Sequence, residues 1–61
     1  MNGLTAKRIG AVACEFATCA QTCEDIAETT KDEHIKRLYL GAFYAYAKAA
    51  EMIDQLLVEL S

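Results

Sequence analysis

Residues 35–60 read IKRLYLGAFYAYAKAAEMIDQLLVEL, and the fold turns on this stretch. It holds no proline and a single glycine, Gly41. Its apolar residues recur at spacings of three and four in two rows. One row is Tyr39, Phe43, Tyr46, Ala50, Ile53, Leu57 and Leu60; the other is Ile35, Leu38, Ala42, Ala45, Ala49, Met52 and Leu56. Each row fits a helix of 3.6 residues per turn. Together they cover far more than the roughly 100° arc that one neighbouring helix buries. One partner helix in the same chain leaves a row uncovered, so this helix needs two neighbours.

The first half of the chain supplies one of them. Ile9, Val12, Phe16, Cys19, Cys23 and Ile26 alternate by three and four and form a heptad seam. Beside it Ala6, Ala13, Ala20 and Ala27 repeat with a strict period of seven, a row of small residues that lets another helix come close. Asn2 and Thr5 are both good N-cap types for this helix. Apolar periodicity lapses over Thr29-Thr30-Lys31-Asp32, where Thr30 and Glu33 fit a capping box and announce a second helix. With no glycine or proline at the break, one continuous helix is the alternative reading. The expected layout is a single domain, residues 1–61, with helices over about 4–29 and 32–60 and a turn at about 30–31. Folding about Thr30 sets Ile26 against Ile35, Cys23 against Leu38 or Tyr39, and Cys19 against Ala42 or Phe43. Phe16 then faces Tyr46, and Val12 faces Ala49 or Ala50. Large side chains meet small ones, as interdigitating layers require. The same fold brings acidic Glu24, Asp25 and Glu28 beside Lys36 and Arg37.

Composition agrees. A chain of 61 residues with 54% hydrophobic content, three glycines and no proline reads as all-helical, and at this length it is marginal alone. The fold class is therefore all-α: an antiparallel two-helix hairpin assembling with itself, at least as a dimer, into a homo-oligomeric helical bundle such as a four-helix bundle. A net charge of −3 excludes non-specific nucleic-acid binding, which needs a basic surface, but permits a small anionic ligand on a local basic stripe. Ile9 to Ala20, the longest apolar candidate, is interrupted by Glu15 and falls short of the ~20 residues of a membrane span. Lys7-Arg8 followed by Ile9 to Cys14 imitates a lipoprotein signal, with an apolar region too short to serve as one. Cys14, Cys19 and Cys23 are an odd number within one helix, which points to reduced thiols and a cytoplasmic location.

Several residues could carry chemistry. Cys19 and Cys23 stand four apart on one helical face, and two soft thiols at that spacing suit Cu(I) or zinc. Cys19-Ala20-Gln21-Thr22-Cys23 resembles the C-A-x-x-C repeat of cysteine-rich four-helix copper-binding proteins, which implies a thiol-lined metal-binding bundle. Those proteins carry many more cysteines, and helix 2 here has none. Cys14 lies ~140° or more round the helix from the other two and cannot join them on one ion. The simpler role for Cys19 and Cys23 is to pack as small core residues. His34 lacks the Glu-x-x-His spacing of di-iron bundles, because Lys31 stands three residues before it. Glu24 and Glu28 share a face best read as solvated. The only serine is Ser61 and no glycine-rich loop precedes a helix, so nothing points to a serine triad or a phosphate loop. The chain is expected not to be an enzyme and to use no cofactor.

One stripe suits ligand binding. Arg37, Gly41, Tyr44 and Lys48 follow offsets of four, three and four on the face away from the inner seam. Two cations can hold phosphates and a tyrosine ring can stack on a base. Gly41 costs a helix ~1 kcal/mol relative to alanine, which suggests that a ligand or another helix approaches there. Leu38-Tyr39-Leu40, the alanine-rich Ala45 to Ala50 and Met52-Ile53 resemble the second helix of small phage proteins that sequester cyclic oligonucleotides. The first helix is similar in pattern only. Gly41-Ala42-Phe43-Tyr44-Ala45 stands where that family has a Thr-Lys-Leu-Glu-Glu run, and its tryptophan is absent. The resemblance therefore implies an architecture and a mode of action, with no binding residue carried over. The functional expectation is a non-enzymatic homo-oligomer acting by stoichiometric capture or blocking. Its target would be a small phosphorylated ligand such as a cyclic nucleotide, or a host protein, as in phage anti-defence; the alternative is the Cu(I)- or zinc-binding bundle.

Overall fold

A computed structural model of the chain describes residues 3–60, leaving aside the side chain of Leu4. It contains two helices, α1 (Gly3–Thr29) and α2 (Glu33–Leu60), packed side by side. Each is about 40 Å long at 1.5 Å per residue, and the molecule measures 46 × 15 × 10 Å. It is one helix thick. Neither broad side of the pair is covered by any other part of the described chain.

The corner spans Thr30 to Asp32. The Thr30 N–H donates to Ile26 O at 2.9 Å, extending the hydrogen-bond ladder at the end of α1. Asp32 Oδ1 then accepts from the His34 N–H at 2.9 Å and the Ile35 N–H at 3.1 Å, while Asp32 O accepts from the Lys36 N–H. This makes Asp32, not Thr30, the N-cap of α2. The capping box expected at Thr30 and Glu33 does not form there; the Thr30 hydroxyl instead accepts from the Asp32 N–H at 3.2 Å. A carboxylate that satisfies two free amides and faces the positive end of the helix dipole outcompetes the hydroxyl two residues earlier. No described residue has positive φ, so the corner needs no glycine. At the other end of α1, Thr5 lies inside the helix rather than capping it, and Asn2 lies outside the described residues.

The core lies between the helices and is made of small residues: Ala13, Ala20, Cys23, Ala27 and Ala50 are buried, with Ala27 at 0% exposure. The contact on α1 is thus centred on the alanine row, and the expected seam enters the core only at Cys23. The alanine row faces α2, while Ile9 and Phe16 are half-buried beside it and Val12 and Cys19 are exposed. Alanine permits the closest approach of two helix axes, so long side chains are pushed to the flanks. On α2 the expected inner row does face α1: Tyr39, Phe43, Tyr46, Ile53 and Leu57 are half-buried around buried Ala50, though Leu60 at its end is exposed. Phe16 meets Tyr46 as expected, their ring centroids 6.0 Å apart. Farther from the corner, a Cβ at Gly10 would stand 3.9 Å from Leu57 Cδ1, an ordinary contact. The pairing of Glu24, Asp25 and Glu28 with Lys36 and Arg37 does not form. Gln21 Nε2 instead donates to Glu24 Oε1 at 3.4 Å and Asp25 Oδ1 at 3.0 Å.

Candidate binding surface

The two broad sides of the hairpin differ. One carries a shallow groove lined by Ala17, Gln21, Phe43, Ala47, Glu51 and Asp54, with carboxylates at its edge. At about 100° per residue, the row Thr5, Val12, Cys19, Ile26 on α1 stands a quarter turn from the alanine row, towards the opposite side. The second row of α2 stands on that side too. Among the described residues eight large hydrophobic side chains are exposed, and five belong to this side: Val12, Ile35, Leu38, Met52 and Leu56. Leu38 and Met52 are each 59% exposed. Between them Ala45 is exposed and Ala42 and Ala49 are half-buried. A depression lined by Met52, Ile53, Leu56 and Glu59 opens near the end of α2. The side is thus a continuous apolar face with an alanine waist and large residues at both ends. The sequence pattern of α2 announces its half. The α1 half is hidden in the sequence because hydrophobic spacing puts Val12 and Cys19 in the inner seam; their period of seven with Thr5 and Ile26 is the signal that marks it.

The stripe Arg37, Gly41, Tyr44, Lys48 runs along the edge of α2, pointing away from α1 and bordering the apolar face. All four residues are exposed, Tyr44 at 67%. The Tyr44 ring lies 5.3 Å from that of Phe43, tilted by 54°. Lys48 Nζ reaches Glu51 Oε2 at 4.0 Å, the one ion pair among the described residues, with both side chains about two-thirds exposed. Such a pair is weak and leaves the ammonium free to exchange partners. A Cβ at Gly41 would meet nothing within 4 Å, so packing inside the hairpin does not explain that glycine. The stripe offers one guanidinium, one ammonium and one ring face to solvent.

The thiols separate. Cys23 is buried under α2, Cys19 lies on the open apolar face and Cys14 is exposed. The expectation that Cys19 and Cys23 share a core seam is corrected for Cys19, which the closer packing of Ala20 turns outward. No group of three or more His, Cys, Asp or Glu among the described residues is placed to hold a metal ion. His34 is exposed, its N–H used at the α2 cap. Among the described residues no helix is long and apolar enough to cross a membrane. Comparison with protein-family models, curated proteins and solved structures finds no match to the chain.

Proposed function

We propose that this chain is a non-enzymatic homo-oligomeric binding protein that acts by stoichiometric capture. The observation that carries the reading is the open apolar face. The chain exposes 4690 Å², whereas a compact monomer of 6.7 kDa exposes about 3900 Å². The excess of about 800 Å² matches what each partner of a standard stable interface buries. Its occupant is a second copy of the chain, because the face extends the helix-on-helix packing of the hairpin and a second hairpin would present the same shape.

The captured ligand is a small phosphorylated molecule held on the Arg37, Gly41, Tyr44, Lys48 stripe, repeated by symmetry at the edge of the assembly. A two-fold pair of stripes offers paired cations and paired rings, which suits a cyclic dinucleotide. The resemblance of α2 to phage sponge proteins supports the same mode of action. Native mass spectrometry of protein purified from cells reads oligomer mass and any retained nucleotide or metal together. Calorimetric titration with cyclic di- and trinucleotides then tests the stripe. A charge-assisted contact contributes ~1.5 to 3 kcal/mol, so Arg37→Ala or Lys48→Ala should weaken binding roughly ten- to a hundredfold with little change in melting temperature. Tyr44→Ala should remove the stacking contribution, while Tyr44→Phe keeps it. If no cyclic nucleotide binds tighter than about millimolar, nucleotide capture is refuted. A pull-down lost on Tyr44→Ala would then assign the stripe to a protein partner.

A further inference from the structure

The open face carries more than an area; its residue sizes read the same in both directions. On α2, Leu38 and Met52 each stand seven residues from Ala45, with Ala42 and Ala49 between and Ile35 and Leu56 beyond. On α1, Val12 and Ile26 each stand seven residues from Cys19. The two centres are at the same height. The Phe16–Tyr46 contact and the Gly10–Leu57 approach set the register of the hairpin, and counting on from them brings Cys19 level with Ala45 to within one turn. Two palindromes on separate helices therefore share one midpoint.

From this we infer that the second copy docks antiparallel on a two-fold axis that crosses both helices at right angles, through Ala45 and Cys19. The inference rests on the oligomeric reading above and fixes its geometry. An antiparallel mate reads the pattern backwards, so a palindrome is what such a dimer needs. Leu38 of one copy meets Met52 of the other, and Ile35 meets Leu56. The alanine waists cross at the axis, where small side chains let the two α2 helices approach closely. The depression between Met52, Ile53, Leu56 and Glu59 stands where Ile35 or Leu38 of the second copy arrives, a knob entering a hole. The other two-fold arrangement, with its axis parallel to the helices, lays α1 of one copy over α2 of the other. It sets Arg8, on the same flank of α1, against Leu56, and leaves the α2 face on the sparser apolar row of α1. The perpendicular axis matches apolar with apolar from Ile35 to Leu56 on α2 and from Val12 to Ile26 on α1, and sets Arg8 beside Thr30 at the rim.

The same axis accounts for Gly41 and orders the ligand stripe. Counted through Ala45, Gly41 of one copy falls opposite Lys48 of the other, and the two Tyr44 residues flank the axis. A side chain at Gly41 meets nothing inside the hairpin, so the room it leaves is used between copies. Both stripes come to one edge of the bundle and run in opposite directions, with rings at the centre and guanidinium groups towards the ends. The ligand surface is then complete only in the dimer.

Cysteine cross-linking on the full chain, with the buried Cys23 kept throughout, tests the register. In a Cys14→Ala, Cys19→Ala background, Ala45→Cys should convert to a covalent dimer on mild oxidation. Leu38→Cys chains alone and Met52→Cys chains alone should remain uncross-linked, and a mixture of the two should cross-link. With Cys14→Ala alone, the native Cys19 should form the covalent dimer itself. Leu38→Cys cross-linking with its own kind would overturn the antiparallel register. So would failure of Ala45→Cys in protein that sediments as an oligomer, a result that leaves self-association standing. Protein that sediments as a folded monomer would overturn the oligomeric reading and this one together.

Discussion

The chain contains two rows of alanines flanked by large apolar residues, and they meet different fates. Ala13, Ala20 and Ala27 on α1 are closed against α2 and nearly inaccessible. Ala42, Ala45 and Ala49 on α2 use the same device, yet Ala45 is exposed and large residues at both ends of the row stand in solvent. The difference is topological. A hairpin has one internal interface, and α2 carries two interfaces' worth of apolar surface. What closes the first row is the corner at Asp32; nothing in the described chain closes the second, which the proposed second copy would cover.

The sharpest way to break this comparison is to place the same charge in both rows. Ala27→Glu puts an unpaired carboxylate into the closed row, which costs several kcal/mol and should abolish helical circular dichroism at every protein concentration. Ala45→Glu puts it into the open row. It should reduce the sedimenting species to monomer and leave what helix remains independent of concentration, a lesser and different loss. Ala45→Glu protein that still sediments as an oligomer would erase the distinction.

A smaller effect tests the corner. Asp32→Ala removes the acceptor for two backbone amides and should cost ~1 kcal/mol, read as a lower melting temperature. Thr30→Ala, losing one bond to the Asp32 amide, should cost less; a reversed order would restore the capping box to Thr30.

The smallest effect separates the thiols. In folded protein Cys14 should react with a thiol reagent fastest and Cys23 slowest, from their exposed and buried positions. Cys19 should pass from reactive to protected as protein concentration rises, because the proposed second copy would cover it. Reactivity of Cys19 that is flat across that range contradicts the comparison, while the order of the other two stands on the hairpin alone.

Much of this was legible in the residues. Periodicity locates both helices and the break between them, and the size alternation along α2 finds Phe16 against Tyr46. The choice between the two rows on α1 was not legible from hydrophobicity. That scale ranks Ile, Val and Phe above Ala, whereas close helix packing selects the row with the smallest side chains. The same ranking puts Cys19 in the seam, whereas it stands exposed. At the corner Thr30 and Asp32 are both cap residues, and only the hydrogen bonds separate them. The stripe Arg37, Gly41, Tyr44, Lys48 follows from spacing alone, since a helix fixes which residues share an outward face. Its ligand does not, because two cations and one ring specify phosphate and a planar group without specifying how they are joined.

Coverage of the open face by a second copy can be read directly in solution. Sedimentation equilibrium at low micromolar concentration, with circular dichroism on the same samples, tests it most directly. A covered face gives a helical species of at least twice the 6.7 kDa chain mass, losing helix as it dissociates on dilution. A helical, cooperatively melting monomer at 6.7 kDa would contradict it.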